Sequence, residues 1–419
     1  MTLTARSVAL EALARIDEGA YANIVLPSIL RRGGLDTRDR RLATELVYGT
    51  TRMRRACDHL IDRFARGELE PEVRRVLRLG AYQLAFTGVP DHAAVSATVD
   101  LAPQRASGLV NAVLRKVARQ PLDEWPDLAT RLSYPDWLVN LLQRDLGPAE
   151  AAAALEQMNR RPVVTEREDG YIQDQASQWV AEYVSAAGPS RVADICAAPG
   201  GKATAMGSAP AHPLVVAADL DPGRAGLISQ NTLRLQLAKV VTVVADGAAP
   251  PFRPGCFDAV LVDAPCSGLG VLGRRPDARW RLDAEGPVRL AGLQRRLVAA
   301  ASDLVAEGGR LYYSVCTVTA AETLELDGWA AEALAGWEAL AGPAPSPVGG
   351  GGRAARPEID AADTVPLMVD NVAPDRAGDA TEEGVAWRPH GRGWLLLPQD
   401  AGTDGMYVLG LRRPASART

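Results

Sequence analysis

The sequence has no run of 18 apolar residues anywhere and no apolar core near its first residues, MTLTARSVAL. These absences exclude a membrane-spanning helix and a secretory leader, so a soluble, cytoplasmic protein is expected. Cysteine is scarce. Five residues (Cys57, Cys196, Cys256, Cys266, Cys316) scattered over 419 positions exclude a disulfide framework. No two have the Cys-x-x-Cys spacing, and the four histidines (His59, His92, His212, His390) lie far apart, so no metal is expected. Positive charge is in deficit: 46 Lys and Arg face 51 Asp and Glu, which excludes a uniformly basic coat protein. Lysine itself is nearly missing, with Lys116, Lys202 and Lys239 alone. What is present is ordinary globular material. The 47% hydrophobic content excludes disorder throughout, and 419 residues suit two or three domains.

The average charge conceals an imbalance. Residues 1–120 hold 19 Lys and Arg against 13 Asp and Glu, whereas the other 299 hold 27 against 38. Such asymmetry points to two tasks on one chain. The basic segment reads as helices, through VALEALARI, RRLATELVYGTTRMRRACDHLIDRF and EVRRVLRLGAYQLAF, with Pro71 at a helix start and Gly88-Val89-Pro90 as a breaker. An all-helical domain over residues 1–125 is expected. Pro121, Pro126, Pro135, Pro148 and Pro162 mark residues 126–170 as a connector with one or two short helices.

From about residue 190 the pattern changes to strands alternating with helices. RVADIC, LVVAADL, VVTVVAD, FDAVLVDAP and GRLYYSVC are β-rich runs, and GRAGLISQNTLRLQL and VRLAGLQRRLVAAASDLVAE are helical. This predicts an α/β domain over residues 171–413, with a mostly parallel, doubly wound sheet and helices on both faces. Residues 341–385, rich in Gly, Pro and Ala, predict a flexible loop. WLLLP and MYVLGLR then read as an antiparallel edge pair.

Ligands on such sheets bind beyond the carboxyl ends of the strands, so the residues there are the candidates. The first run leads into DICAAPGGK, residues 194–202, whose small residues let backbone N–H groups approach a ligand. It is neither G-x-G-x-x-G nor a P-loop. The second ends in Asp219, 19 residues after Gly200, close to the ~20-residue separation at which an acid accepts from ribose hydroxyls. Asp221 reads as a helix cap. The third run ends in Asp246, the fourth in Asp263 with Cys266 just beyond, and the fifth in Cys316. Three strand-end acids suggest an adenosine-bearing cofactor.

A strand-end thiol in a polar cleft becomes a nucleophile when its pKa falls, and two converge beside Asp263. Cys57 and Cys256 have no such setting and read as packing residues, as does Cys196 within its turn. A thiolate, an acid and an adenosine cofactor suit methylation of a pyrimidine carbon. Carbon 5 of cytosine is too weak a nucleophile unaided. Thiolate addition at carbon 6, with a proton delivered to nitrogen 3, makes it enamine-like. On chemistry alone, either Cys266 or Cys316 could be that thiol.

DICAAPGGK, DAPCSGLGVLGRRPDARW and YYSVCTV, with QDQAS at 173–177, DLDPGRAGLISQN and the closing GTDGMYVLGLRR, resemble the motifs of the RsmB-like (Sun/Fmu) RNA cytosine-5 methyltransferases. DRRLATELVYGTTR, VLRLGAYQLAF, HAAV and GLVNAVLR resemble the NusB-like RNA-binding domain that precedes the catalytic domain in bacterial members. The resemblance implies a Rossmann-like class I methyltransferase fold and S-adenosyl-L-methionine as cofactor. Its implied substrate is cytosine carbon 5 in RNA, with small-subunit ribosomal RNA as the leading target. It implies that Cys316 attacks carbon 6, that Cys266 assists resolution of the adduct, and that Asp263 contacts the base near the cofactor. Asp219 would hold the ribose and Asp246 the adenine edge. Cys196, Ala197, Ala198, Pro199, Gly200, Gly201 and Lys202 would line the methionine side. Only this resemblance, through the Ser-x-Cys-Thr context, selects Cys316 over Cys266. A monomer with an RNA partner, and with neither membrane nor metal, is expected.

The sequence departs from the family pattern in two places. Members usually carry an RNA-recognition segment of several dozen residues before the QDxAS motif, and here only residues 158–172 fill that place. The Glu-Asn after the cysteine strand is Glu322-Thr323. Lys202, in a chain that otherwise uses arginine, suggests that a compact ammonium is wanted there. Arg31, Arg32, Arg38, Arg40, Arg41, Arg52, Arg54 and Arg55 would neutralise RNA phosphates. Arg274, Arg275, Arg279 and Arg281 would guide RNA to the thiols. The alternatives are a non-catalytic NusB-like RNA-binding or antitermination factor, 5-methylcytosine formation on another RNA such as transfer RNA, and action on DNA.

Overall fold

A computed structural model describes residues 3–344, 353–354 and 387–415. Most of the loop expected over 341–385 therefore lies outside the described residues.

Seven α-helices form the N-terminal module, from Ala5–Asp17 to Ser107–Arg119. Local chemistry sets their starts. Thr4 caps the first through a reciprocal bond with Ser7, Asp36 accepts from Asp39 N at 2.7 Å, and Pro71 occupies the first turn of Pro71–Phe86. Leu46, Leu77, Leu79 and Leu114 are fully buried between the helices.

Residues 126–170 hold three helices, Leu128–Leu132, Asp136–Leu146 and Pro148–Gln157, where one or two short ones were expected. The prolines read as interruptions are starts: Pro135 is the N-cap of the second helix and Pro148 opens the third. Leu138, Leu142 and Leu155 join the same core cluster as Val260 and Leu311 of the sheet.

That sheet has nine strands. In chain order they are β1 (Arg191–Asp194), β2 (Leu214–Asp219), β3 (Val240–Val244), β4 (Phe257–Asp263), β5 (Val305–Val315), β6 (Glu338–Ala339), β7 (Arg388–His390), β8 (Gly393–Leu396) and β9 (Met406–Arg412). Their order is β3-β2-β1-β4-β5-β9-β8-β7, with β6 along β9. The first five are parallel and the last group antiparallel. Alternate residues fill two cores. Val192, Ala259 and Leu261 face one layer, while Ala193, Val260 and Val262 face the other, as a period of two requires. The runs WLLLP and MYVLGLR do pair antiparallel, but MYVLGLR lies inside the sheet against β5, and Arg388–His390 takes the edge. Chain direction across the sheet reverses between β1 and β4. Strand ends at this switch point are where a ligand crevice opens.

The helical module docks on the segment after Cys266. Arg52 Nη2 donates to Gly273 O at 3.0 Å, and Trp280 Nε1 donates to Thr51 O at 2.7 Å. Arg279 was expected to guide RNA, yet it is fully buried. Its Nη1 donates to Ser133 O at 3.2 Å and Asn159 Oδ1 at 3.0 Å, and the guanidinium lies 3.8 Å from the Tyr134 ring centroid. Burial pushes its pKa down to about 10. Arg274 is also engaged, with Asp174 at 2.6 Å and Asp404 at 3.1 Å, and Arg281 pairs with Asp277. Of the four, Arg275 and Arg281 are exposed. Arg52 is buried and Arg55 pairs with Asp136 at 2.8 Å, whereas Arg31, Arg32 and Arg38 remain exposed.

Candidate active site

The loop after β1 turns sharply into the helix Gly201–Gly207. Gly200 adopts φ +105°, and a Cβ there would lie 3.3 Å from the Ile228 backbone. Only glycine meets both demands cheaply. The turn is tied from outside: Asn231 Nδ2 donates to Pro199 O at 3.0 Å and Arg224 Nη2 to Ala198 O at 3.2 Å. The first N–H groups of the short helix have no intrahelical acceptor.

Asp219 ends β2 and is buried. Its carboxylate accepts from Ala198 N at 3.2 Å and Asp221 N at 3.1 Å, while Asp221 caps the helix Pro222–Arg234 through Arg224 N at 2.7 Å. Asp246 is exposed beyond β3, and its carboxylate accepts from Ala248 N, two residues on, at 2.8 Å. Gly247 beside it is forced, because a Cβ would lie 2.5 Å from the Ile195 side chain.

Asp263 ends β4 next to Ser314 of β5. Its Oδ2 accepts from Lys202 Nζ at 2.8 Å, and its Oδ1 from Ser314 Oγ at 3.1 Å. The lysine is 8% exposed and the aspartate 30%, so the ammonium backs a carboxylate that faces the crevice. Burial alone pushes Lys202 down, but the charge and hydrogen bond of Asp263, with Cys316 behind them, carry its pKa above the ordinary value. Lys202 thus remains an ammonium.

The parallel register of β4 and β5 brings the two loops beyond them together, and Cys266 Sγ lies 3.3 Å from Cys316 Sγ. The hydrogen bond to Cys316, followed by burial, holds the Cys266 thiol well above its usual range. Burial pushes Cys196 up as well, so it stays a thiol within its turn. Cys57 is buried in the helical module, and Cys256 packs against the sheet core.

Two acidic residues have a part in the site that no sequence signal assigns them. Glu322 is fully buried and joins the thiol loops. One oxygen accepts from Ser267 N at 2.9 Å and Gln294 Nε2 at 3.0 Å; the other accepts from Ser267 Oγ at 2.5 Å and Thr319 Oγ1 at 3.0 Å. Its only sequence signal was its place after the cysteine strand. Asp194 is the opposite case. It is fully buried at the end of β1, and neither carboxylate oxygen has a hydrogen-bond partner. Burial, and after it the charge of Asp263, push its carboxyl well above the usual range, with Lys202 offsetting part and Asp219 adding.

An unpartnered buried acid, a strand-end carboxylate on each side and a glycine turn with free N–H groups suit a cationic, adenosine-bearing methyl donor. Among the described residues, no three His, Cys, Asp or Glu side chains are placed to hold a metal ion. No helix among them is long and apolar enough to cross a membrane.

Comparison with known proteins bears on both halves of the chain. The model of the NusB family matches residues 3–119, and that of the 16S rRNA methyltransferase RsmB/F family matches residues 185–333. The chain is 36% identical over 348 residues to the ribosomal RNA small subunit methyltransferase B of Thermus thermophilus, covering 76% of this chain and 85% of that protein. It is 34% identical over 482 residues to the putative methyltransferase Rv1407 of Mycobacterium tuberculosis, covering 98% and 96%. The crystal structure of PH0851 shares the fold, with a TM-score of 0.72 over 99% of this chain and 100% of that one at 18% identity. Identity of this extent settles kinship: the chain belongs to the RsmB/F methyltransferase family, on a Rossmann-like class I fold behind a NusB-type module, and its cofactor is S-adenosyl-L-methionine.

Proposed function

We propose that the protein methylates carbon 5 of cytosine in small-subunit ribosomal RNA through a covalent Cys316 adduct. On this reading it works as a cytoplasmic monomer, with residues 1–125 docking RNA, 126–170 as connector and 171–413 as catalytic domain. The observation that carries it is the pair of thiols 3.3 Å apart beside an aspartate held by a buried lysine.

The Cys316 thiolate adds to carbon 6 while a proton passes from the Lys202 ammonium through the Asp263 carboxylate to nitrogen 3. Carbon 5 thereby gains the electron density that cytosine lacks. The cofactor supplies an electrophilic methyl group to that carbon. Cys266, whose raised pKa makes its ionised form a strong base, takes the carbon-5 proton; nitrogen 3 gives its proton back to the Asp263–Lys202 pair, the carbon 5–carbon 6 double bond is restored, and the Cys316 sulfur leaves as thiolate. Asp219 and Asp246 hold the ribose and adenine edge, and the 196–202 turn lines the methionine side.

The test is a denaturing gel of protein incubated with small-subunit ribosomal RNA and S-adenosylmethionine. Cys266→Ala should accumulate a protein–RNA adduct and Cys316→Ala none. The opposite pattern would reverse the two roles. Adduct on neither variant, with no methyl transfer by the parent, would sink the reading.

A further inference from the structure

The seam between the helical module and the segment 277–281 encloses a cavity of about 110 Å³. A water-sized sphere needs ~10–15 Å³ of such space, so a tetrahedral anion fits. Two groups in its wall lack partners. Thr50 is 2% exposed, and its Oγ1 meets no hydrogen-bond partner. Arg54, largely buried, lies with its guanidinium carbon 5.6 Å from the Trp280 ring centroid and forms no ion pair or hydrogen bond with any described residue.

The neighbouring cations are already matched. Arg75 pairs with Asp17 at 2.9 Å, Arg78 grips Asp58 with both arms at 2.8 Å, and Arg281 pairs with Asp277. Arg54 is left over. Burial pushes its guanidinium below the ordinary value, Arg78 adds to this, and Asp17 and Asp58 offset part. A largely buried cation with no direct ion pair and a buried hydroxyl without an acceptor are each unfavourable, and one oxyanion relieves both. The hydroxyl forms no hydrogen bond with any described residue.

We propose that this cavity is a binding site for a phosphate group, with Arg54 and Thr50 as its donors. It deepens the RNA reading above and rests on it for one of two sources, a backbone phosphodiester of the RNA; the other is free phosphate. An occupant would touch both the helical module and the segment that continues from the Cys266 loop. Binding at the seam would then fasten the two halves in the arrangement described.

Calorimetry with inorganic phosphate on the full chain tests the site. The parent should bind in the millimolar range, and Arg54→Met and Thr50→Val should each weaken binding roughly tenfold or more. Thr50→Val keeps the shape and should not lower the melting temperature of the free protein, so the test stands even where Arg54→Met folds poorly. The salt dependence of binding to a single-stranded fragment of small-subunit ribosomal RNA separates the sources. A slope shallower by about 0.7 in Arg54→Met assigns the site to a phosphodiester. An unchanged slope with phosphate binding lost assigns it to free phosphate. No phosphate binding by the parent, or equal binding by all three proteins, overturns the proposal. Phosphate binding and adduct formation are read separately, so the site and the methyl-transfer reading fail independently.

Discussion

The two sides of the crevice treat buried polarity in opposite ways. On the thiol side every oxygen of Glu322 is matched, and Ser267, Thr317, Thr319 and Gln294 close the network around it. At the end of β1 Asp194 is equally buried, yet neither oxygen meets a donor at good geometry and the Cys196 N–H offsets only a small part of its burial. A satisfied network fixes geometry, and an unsatisfied group keeps a valence for something that arrives later. The thiol loops are therefore set in advance, while the end of β1 keeps a polar group open to a ligand.

The largest test of this contrast removes the thiol that the network positions. Cys316→Ala should lower methyl transfer by roughly 10⁴-fold, the scale on which loss of a nucleophile acts, with cofactor binding unchanged by calorimetry. Next comes the network itself. Glu322→Gln places an amide donor against the Ser267 and Thr319 donors, and should destabilise the fold by about 1–3 kcal/mol and slow turnover, again without changing cofactor affinity. A fall in cofactor affinity equal to the fall in rate would dissolve the distinction between the two sides.

The third test works on the ligand side. Asp194→Asn should weaken cofactor binding about tenfold, or ~1.4 kcal/mol. Its effect on the free protein has a definite sign. Because the folded-state pKa is raised, the folded chain holds a proton that the unfolded chain has lost at pH values above the ordinary carboxyl range. Stability from this group is complete at low pH and falls as pH rises through that window. The asparagine variant should lose that slope and unfold at a higher temperature than the parent at pH 8. Identical pH dependence in both proteins would show that Asp194 is matched after all. The smallest effect belongs far from either side: replacing exposed Arg38 by Ala should reduce the salt slope of RNA binding by less than one unit and leave turnover alone.

The strand ends were legible in the sequence because their signals are local. An apolar run followed at once by an acid or a thiol needs no distant partner to be read, and Asp219, Asp246, Asp263, Cys266 and Cys316 all stand at the ends so marked. What escaped depends on residues far apart in the chain. Glu322 meets Ser267 from 55 positions away and Gln294 from 28, and no pattern around 322 announces either. Arg279 sits in an arginine-rich run that reads as a basic surface, yet Tyr134 and Asn159 enclose it from more than 100 residues earlier. Pro135 and Pro148 mislead for another reason: the same residue that breaks a helix also opens one, and only packing against the sheet decides.

Strand β9 lies between β5 and β8, and Gly405 N just before it donates to Gly270 O in the Cys266 loop at 2.9 Å. It is also the last strand of the sheet to be synthesised. Until residues 406–412 exist, β5 is an open edge, and the loop that carries one thiol lacks its anchor. The helical module, complete some 290 residues earlier, has by then had time to fold, since domains form from the N-terminus as they emerge. A growing chain is thus able to acquire its helical module long before the sheet and the Cys266 loop are complete, which waits until residues 406–412 have been made.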